Sequence, residues 1–220
     1  MCNLYRMTKG VDEIAHLFDA VATVGANFAA EVYPGYPGLV VAEGRAWSMA
    51  WGLPLVLTGK AGQKLKPKPV NNAREDKLTT PFWRDSFARR RCLIPVSAWA
   101  EAEGQKGAMT RTWYWLPRGE GGAEGAPFAV AGVWRPTAEW GDAYAMVMTD
   151  ACVQMAQVHD RMPIILPRGD WATWLHGSAE DARAVCRVWP DELVVDRTSE
   201  RWAGSAGNRV VAAPDQRTLF

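Results

Sequence analysis

The sequence is poor in the residues that hold metals and disulfides. It has four cysteines, none in a Cys-x-x-Cys pair, and only three histidines among 220 residues. Structural zinc sites need closely spaced Cys and His ligands, and disulfide-rich secreted domains need a higher cysteine density, so the composition argues against both classes. We therefore predict a protein without a metal or another cofactor, in a reducing compartment such as the cytoplasm.

Long uncharged segments are also missing. The longest one, from Ala46 to Gly59, is too short to span a bilayer and is interrupted by Gly52 and Pro54. The first residues do not combine a basic segment with an apolar run, which is the pattern of an export signal. These absences predict a soluble, unexported protein with no membrane partner.

Net charge is only +1, but its distribution is uneven. Residues 60–91 contain ten Lys and Arg against three Asp and Glu, so this segment is +7 and the remainder is −6. A run of charge is usually a solvated face, yet beside a reactive site it is also typical of nucleic-acid binding. Lys64, Lys66 and Lys68 alternate with other residues and with prolines, which predicts extended backbone and cationic groups spaced along a line.

The length and a 48% hydrophobic content predict one domain over residues 1–220. Hydrophobic periodicity and breakers predict strands at 39–42, 47–51, 92–96, 110–116, 128–134, 144–149 and 162–166. Helices are predicted at 11–21, 150–158, 171–175 and 181–188, with a Gly-rich turn at 119–125. A further helix is predicted to be capped by Thr80, to have Pro81 as its first residue and to run to about Arg90. Many short strands with dispersed helices are typical of an α+β fold.

Cys2 offers unusual chemistry because removal of Met1 would make it the first residue. It would then carry an α-amine and a thiol with ordinary pKa values of about 8 and about 8.5, so both are partly nucleophilic at neutral pH. Such a 1,2-aminothiol reacts twice with an aldehyde, forming an imine and then a five-membered thiazolidine ring. By position alone, however, Cys2 is also compatible with a small apolar residue at the start of a chain.

Cys2 is followed by three further motifs in a fixed order. These are Asn72-Ala73-Arg74, the run from Arg90 to Glu101 that contains Arg-Cys-Leu-Ile-Pro, and His159-Asp-Arg-Met-Pro. Together with Trp51-Gly-Leu-Pro and Ala131-Gly-Val-Trp, they resemble the SOS-response-associated peptidase (SRAP) family. The resemblance extends from Cys2 to about Leu166.

The resemblance implies a single α+β domain built around a small closed barrel. It also implies an abasic-site sensor that forms a thiazolidine crosslink between its N-terminal cysteine and abasic sites in single-stranded DNA, after removing its own Met1. Carried over residue by residue, Cys2 matches the nucleophile, Asn72 the asparagine that positions it, Glu101 the acid–base carboxylate and His159 the histidine that serves the sugar and imine.

The DNA contacts implied by the resemblance come from the basic segment and its neighbours. Arg74 and Arg84 match DNA-contacting arginines, and Trp51 lies in a family motif, so with the three lysines at 64, 66 and 68 they form the predicted DNA-binding set. Asn3 and Leu4 stand where the family commonly has Gly-Arg, so the contact of the fourth residue is lost or moves to Arg6. The expected state is a monomer.

The residues leave other functions open. Cys2 and His159 could form the thiolate–imidazole pair of a cysteine peptidase that acts on other proteins, which would not need a free α-amine. The basic segment and exposed tryptophans could instead serve a non-catalytic module for single-stranded DNA, which would bind intact and lesioned strands alike. Glu101 is also compatible with a surface carboxylate, and His159 with a structural histidine.

Overall fold

The computed structural model describes residues 2–24, 26–117 and 125–202. The strands are β1 Tyr5–Arg6, β2 Val21–Ala22, β3 Glu31–Val32, β4 Pro37–Ala42, β5 Arg45–Trp51, β6 Leu53–Leu55, β7 Lys68–Val70, β8 Asn72–Arg74, β9 Arg91–Val96, β10 Ala98–Glu103, β11 Thr110–Trp115, β12 Phe128–Thr137, β13 Gly141–Asp150, β14 Arg161–Pro163, β15 Ile165–Leu166 and β16 Val194–Arg201. The helices are α1 Val11–Leu17, α2 Arg84–Arg89, α3 Trp171–His176 and α4 Ala179–Ala184. The predicted α+β class is confirmed, with strands in the majority.

Five of the strands close into a small barrel. β4 pairs with β5 and β9, β5 with β13, β13 with β12, and β12 with β9, and only the β5–β13 pairing is parallel. Every residue of β9 is buried, which explains its nearly continuous apolar sequence, since both of its faces are covered. At Gly132 a Cβ atom would lie 2.7 Å from the Cys92 Sγ, so the barrel packs too closely for a side chain there.

A second sheet brings the beginning of the chain to the barrel. Its strand order is β16-β11-β10-β1-β3, and Tyr5 lies opposite Trp99 in the antiparallel pairing of β1 with β10. The Ala100 amide donates to the Leu4 carbonyl at 3.0 Å, which extends this register toward Cys2. The strand that contains Glu101 therefore runs beside the segment that contains Cys2.

Most predicted strands are present, but the helix predicted at 150–158 is absent, and three other helices have bounds that differ from the prediction. One of these is α4, which covers Ala179–Ala184 where residues 181–188 were predicted. Residues 153–158 form separate turns, because the bonds from Ala156 and His159 to residues four earlier are not consecutive and no helix propagates. Helix α1 ends at Leu17 and does not reach residue 21, because Asp19 has a left-handed backbone conformation with a φ of 52°. Thr80 is not a cap: its hydroxyl donates to the Lys77 carbonyl at 2.7 Å, and α2 begins only at Arg84. The predicted Gly-rich turn lies outside the described residues except for Gly125.

The basic segment is divided by the fold. Arg91 is 7% exposed and donates to the carbonyl groups of Phe87, Trp174 and Gly177, so it joins α2, α3 and the following turn to the barrel. Arg89 and Arg90 both pair with Asp85. Arg91 therefore serves the fold, while Arg89 and Arg90 are paired with a carboxylate of their own helix region. Across the described residues, no helix is long and apolar enough to cross a membrane.

Candidate active site at Cys2

Cys2 is enclosed by the protein and held through its carbonyl group. The residue is 0% exposed. Its carbonyl oxygen accepts from the side-chain amide of Asn72 at 2.7 Å and from that of Asn71 at 2.9 Å. The thiol points to the Leu4 carbonyl, with 3.5 Å between Sγ and O. Burial, followed by the negative charge of Glu101, raises the pKa of the Cys2 thiol, so the thiol is protonated at neutral pH.

The two asparagines are placed by the barrel. Asn72 begins β8, which pairs in parallel with β13 opposite Met146. The Asn71 carbonyl accepts from the Met146 amide at 2.9 Å and from the indole N–H of Trp51 at 3.0 Å. Asn72 is 8% exposed, and its Oδ1 is buried without a hydrogen bond in the described part of the chain. The predicted contact between Asn72 and Cys2 is thus present, with an unused acceptor on the same amide.

Trp51 was predicted to contact DNA, and the structure contradicts this. Its side chain is 0% exposed, packs edge-on against Tyr5 with ring centroids 5.0 Å apart, and donates its only N–H to Asn71. A fully buried indole offers no face to a base. Trp51 instead supports the backbone from which Asn71 and Asn72 reach Cys2.

Glu101 lies on β10 beside the Cys2 segment and is 2% exposed. It is not a surface carboxylate. Burial raises the pKa of Glu101 to about 7, and the charge of Asp160 adds to this increase. A carboxyl group with this pKa can both accept and donate a proton near neutral pH, which is the property required of a general acid–base group.

His159 follows the turns at 153–158 and lies two residues before the start of β14. Its Nδ1 accepts from the Arg161 amide at 2.9 Å and lies 3.1 Å from the Asp160 carboxylate. Burial lowers the pKa of His159, so the neutral ring predominates at pH 7, with Nδ1 as acceptor and the proton on Nε2. Asp160 acts electrostatically on both His159 and Glu101, which couples the two groups.

The predicted DNA-binding lysines lie on one exposed hairpin, which we call the lysine arm and define as residues 53–70. β6 and β7 form its base, and the Leu65 amide donates to the Leu57 carbonyl at 2.8 Å near its middle. It contains four lysines and no acidic residue. All four lysines are exposed, and none of them has an ion-pair partner within the described ranges. The arm ends directly at Asn71.

The predicted arginine contacts differ from the lysines. Arg74 is exposed but makes a two-pronged ion pair with Asp76, with N–O distances of 2.9 and 3.0 Å. Arg84 is exposed at the start of α2. Arg6 packs over the Trp113 ring and pairs with Glu31 at 3.1 Å. The sequence analysis offered Arg6 as a substitute DNA contact, but its guanidinium group is engaged by these two residues.

Comparison with known proteins decides the family. A model of the SOS response associated peptidase family matches residues 1–201. The chain belongs to the SRAP family. A search of curated proteins gave no match.

Solved structures share the SRAP chain's fold over nearly its whole length. A protein from Bordetella bronchiseptica is 27% identical, with a TM-score of 0.73 over 90% of this chain and 99% of that one. A protein from Bacteroides thetaiotaomicron is 15% identical, with a TM-score of 0.71 over 89% and 91%. A phage-related protein from Bordetella bronchiseptica is 18% identical, with a TM-score of 0.65 over 90% and 94%. The last two similarities concern the fold alone.

Sequence reasoning missed two residues of this SRAP site. Asn71 shares the Cys2 carbonyl with Asn72, and Asp160 couples His159 to Glu101. Their adjacency to a predicted site residue was the available signal, but adjacency does not say which way a side chain points. Among the described residues, no three His, Cys, Asp or Glu side chains are grouped as a metal site.

Proposed function

We propose that this SRAP protein forms a thiazolidine crosslink between the mature N-terminus at Cys2 and the aldehyde of an abasic site in single-stranded DNA. The observation that carries the proposal is the way Cys2 is held. Its carbonyl takes both asparagine donors, while a carboxyl group with a pKa of about 7 lies in the adjacent strand. Neither asparagine donates to the amine or the thiol, which are the two groups that would react.

The reaction starts from the closed sugar of the abasic site. A proton shuttle opens the hemiacetal to the aldehyde, and the Cys2 amine adds to the aldehyde carbon. Loss of one water gives the imine. The thiol then adds to the imine carbon, forming the C–S bond, while its proton passes to the nitrogen. The product is a thiazolidine, and the net reaction releases one water.

Glu101 and His159 have different roles: Glu101 takes up and releases the proton, and His159 donates a hydrogen bond. The raised pKa of Glu101 lets it act as either base or acid near pH 7. His159 is neutral and presents Nε2–H, because Nδ1 already accepts from the Arg161 amide. A neutral donor of this kind can hydrogen-bond to the sugar oxygen or the departing hydroxyl group without placing a second positive charge near the amine, while the protonated Glu101 carboxyl supplies the proton.

Removal of Met1 precedes crosslinking, since an acylated nitrogen cannot form the imine. Hydrolysis adds the hydroxyl of water to the Met1 carbonyl carbon, and the Cys2 nitrogen leaves with a proton. Glu101 is the group of the site that can accept a proton from water and return it to the leaving amine. The same carboxyl group therefore serves both steps.

The lysine arm supplies the DNA path. Its four exposed lysines lead to Asn71 with no acidic residue between them, so a strand that follows the arm would end at Cys2. Val56, Leu57 and Leu65 are also exposed on the arm, at 37%, 45% and 40%, and offer apolar contacts for unstacked bases. Contacts between the lysines and phosphate groups would position a strand without reading its sequence.

A peptidase that acts on other proteins through a thiolate–imidazole pair is supported less well. The buried Cys2 thiol contacts a backbone carbonyl and has a raised pKa, whereas a peptidase needs a thiolate with a lowered pKa for its first attack. In crosslinking the amine attacks first, and the thiol adds only afterwards, to the imine carbon attached to its own residue. His159 directs Nδ1 to the Arg161 amide and Asp160.

The test uses mature protein and an oligonucleotide with one abasic site. We expect an adduct that survives denaturation, with the mass of the protein without Met1 plus the oligonucleotide minus one water. Cys2→Ala should abolish this adduct, and Cys2→Ser should give at most a weaker oxygen analogue. An adduct at the wild-type level in either variant, or activity in a preparation that retains Met1, would contradict the mechanism. An intact oligonucleotide separates crosslinking from simple strand binding.

A further inference from the structure

Asn71 has the contacts of a clamp on the beginning of the chain. Its side-chain amide carries two N–H groups, and two oxygens receive them: the Cys2 carbonyl at 2.9 Å and the Asn3 Oδ1 at 3.1 Å. Because both partners are acceptors, the amide nitrogen must face residues 2 and 3. Asn71 thus bridges two consecutive residues of the segment that carries the thiol.

The contact from Asn71 is also the second hydrogen bond to the Cys2 carbonyl oxygen. A carbonyl oxygen has two lone pairs, and here Asn72 and Asn71 donate to the same oxygen. Two donors on one oxygen restrict rotation of the peptide between residues 2 and 3 more than one donor can. Of the three functional groups of a mature Cys2, the carbonyl is the one that takes no part in ring formation.

The clamp has a rigid base. The Asn71 backbone carbonyl receives the Met146 amide of β13 and the Trp51 indole, so its position is set by the barrel and not by its own side chain. The Asn71 side chain is half-buried, and Asn3 is exposed. Truncating either side chain therefore leaves no cavity in the core, which separates the role of the clamp from the stability of the fold.

We propose that Asn71, together with Asn3, is a positioning residue that holds the mature N-terminus in its reactive place. The first residue of a chain frays unless it is tied down, and a displacement of about 1 Å at a reacting group can cost a large factor in rate. Asn3 stands where the family commonly has glycine, so this second contact comes from the side chain present in this chain. The proposal rests on the proposed crosslinking function only where the crosslinking rate is measured; the labelling of Cys2 does not depend on that function.

The clamp predicts opposite changes in two rates. Loosening it should slow crosslinking, because the amine and thiol leave the productive geometry. It should also speed labelling of Cys2 by a small maleimide, because the thiol is 0% exposed in the clamped state. A loss of general stability would raise labelling of the buried Cys92 as well, whereas release of the clamp should affect Cys2 alone.

The experiment compares Asn71→Ala, Asn71→Asp and Asn3→Ala with wild type. Asn71→Asp keeps the shape and removes both donors. We expect the crosslinking rate at saturating abasic oligonucleotide to fall about five- to tenfold for both Asn71 variants, the equivalent of one hydrogen bond, and about twofold for Asn3→Ala. DNA affinity of Asn71→Ala and Asn3→Ala, measured on a Cys2→Ala background, should not change, whereas the added charge of Asn71→Asp should weaken it. Asn3→Ala added to Asn71→Ala should have no further effect, since the partner is already gone.

Asn27→Ala, at an exposed asparagine between β2 and β3, is the matched control and should behave as wild type. Maleimide labelling of Cys2, mapped by mass spectrometry, should accelerate in both Asn71 variants whether or not Met1 is present. If wild type forms no DNA adduct, the proposed function fails, and the labelling rates still judge the clamp. Wild-type labelling and crosslinking rates in both Asn71 variants would overturn the clamp itself.

Discussion

The Cys2 site and the lysine arm meet at Asn71 but differ in nearly every physical respect. At the site, Cys2, Asn72 and Glu101 are at most 8% exposed, the Cys2 carbonyl is hydrogen-bonded to Asn72, and the pKa of Glu101 is raised. On the arm, four lysines and three large apolar side chains are exposed. The site fixes a few atoms in place, whereas the arm supplies charge and surface without fixing any one contact.

This difference predicts which substitutions should change stability and which should change DNA binding. A buried polar group that loses its partner costs the full penalty of desolvation, while an exposed cation can be exchanged with little effect on folding. Site variants should therefore change stability, pH dependence and rate together. Arm variants should change DNA affinity and its dependence on salt, and leave the fold as it is.

Glu101 provides the largest expected effect. Burial raises the pKa of Glu101 from its ordinary 4.5 to about 7, so the folded state binds the proton more tightly than the unfolded chain. The stability linked to this proton is fully present below about pH 4.5 and is lost as the pH rises through about 7. Since one pKa unit corresponds to about 1.36 kcal/mol, the loss amounts to about 3 kcal/mol.

Glu101→Gln removes this titration. Urea unfolding should find the variant about 3 kcal/mol more stable than wild type at pH 8 and equally stable near pH 4. Its crosslinking should be slow at every pH. Glu103→Gln is the control on the same strand: the hydroxyl of Thr112 and then the charge of Arg197 lower the pKa of Glu103, so that variant should lose a little stability at neutral pH. A Glu101→Gln variant less stable at pH 8 would mean that the fold favours the carboxylate.

Trp51 tests whether a residue assigned to DNA by sequence belongs to the buried site. Trp51→Phe keeps an aromatic ring but removes the N–H that binds the Asn71 carbonyl and leaves unfilled volume. We expect a loss of about 2 kcal/mol in the free energy of unfolding and slower crosslinking. DNA affinity on a Cys2→Ala background should stay the same. Weaker DNA binding with unchanged stability would restore the DNA-contact interpretation.

The lysine arm is tested by replacing Lys64, Lys66 and Lys68 together with glutamine. If each lysine contacts one phosphate, the slope of log affinity against log salt should fall by roughly 0.7 per lysine, or about 2 in total. Thermal stability should remain that of wild type. Lys106→Gln, an exposed lysine between β10 and β11, is the control. Unchanged slopes would show that the strand approaches the site along another surface.

Arg74 provides the smallest expected effect. Arg74 belongs to the predicted DNA-binding set and lies two residues after Asn72. Its two-pronged pairing with Asp76 already occupies the guanidinium, so Arg74→Ala should weaken DNA binding only about twofold. Asp76→Asn should release the cation and tighten binding by a similar factor. Equal salt slopes in wild type and Asp76→Asn would place Arg74 away from the phosphates.

Most of the strands, and the residues that surround Cys2 in the structure, could be predicted from the sequence. Alternation and apolar runs located the barrel strands, and the ordered motifs located Cys2, Asn72, Glu101 and His159. The errors arose where tertiary contacts outweigh local preference. A helix was predicted at 150–158, but Asp150 ends β13 and residues 153–158 form turns. The Thr80 hydroxyl donates to the Lys77 carbonyl group and does not cap a helix. Local propensity is a weak guide when a short segment is held at both ends by the fold.

The reactive groups of this protein can be read from its sequence. They are a thiol that can become N-terminal, a carboxyl group, an imidazole and a cationic stretch, and they follow one another in the order found in the SRAP family. Only the tertiary structure decided which of these groups are enclosed and which face solvent. It buried Glu101 and thereby raised its pKa, enclosed Arg91 and Trp51, and turned Asn71 toward Cys2. The physical reason is that burial and hydrogen-bond partners come from residues distant in the chain, and a residue's own neighbours in sequence do not specify them.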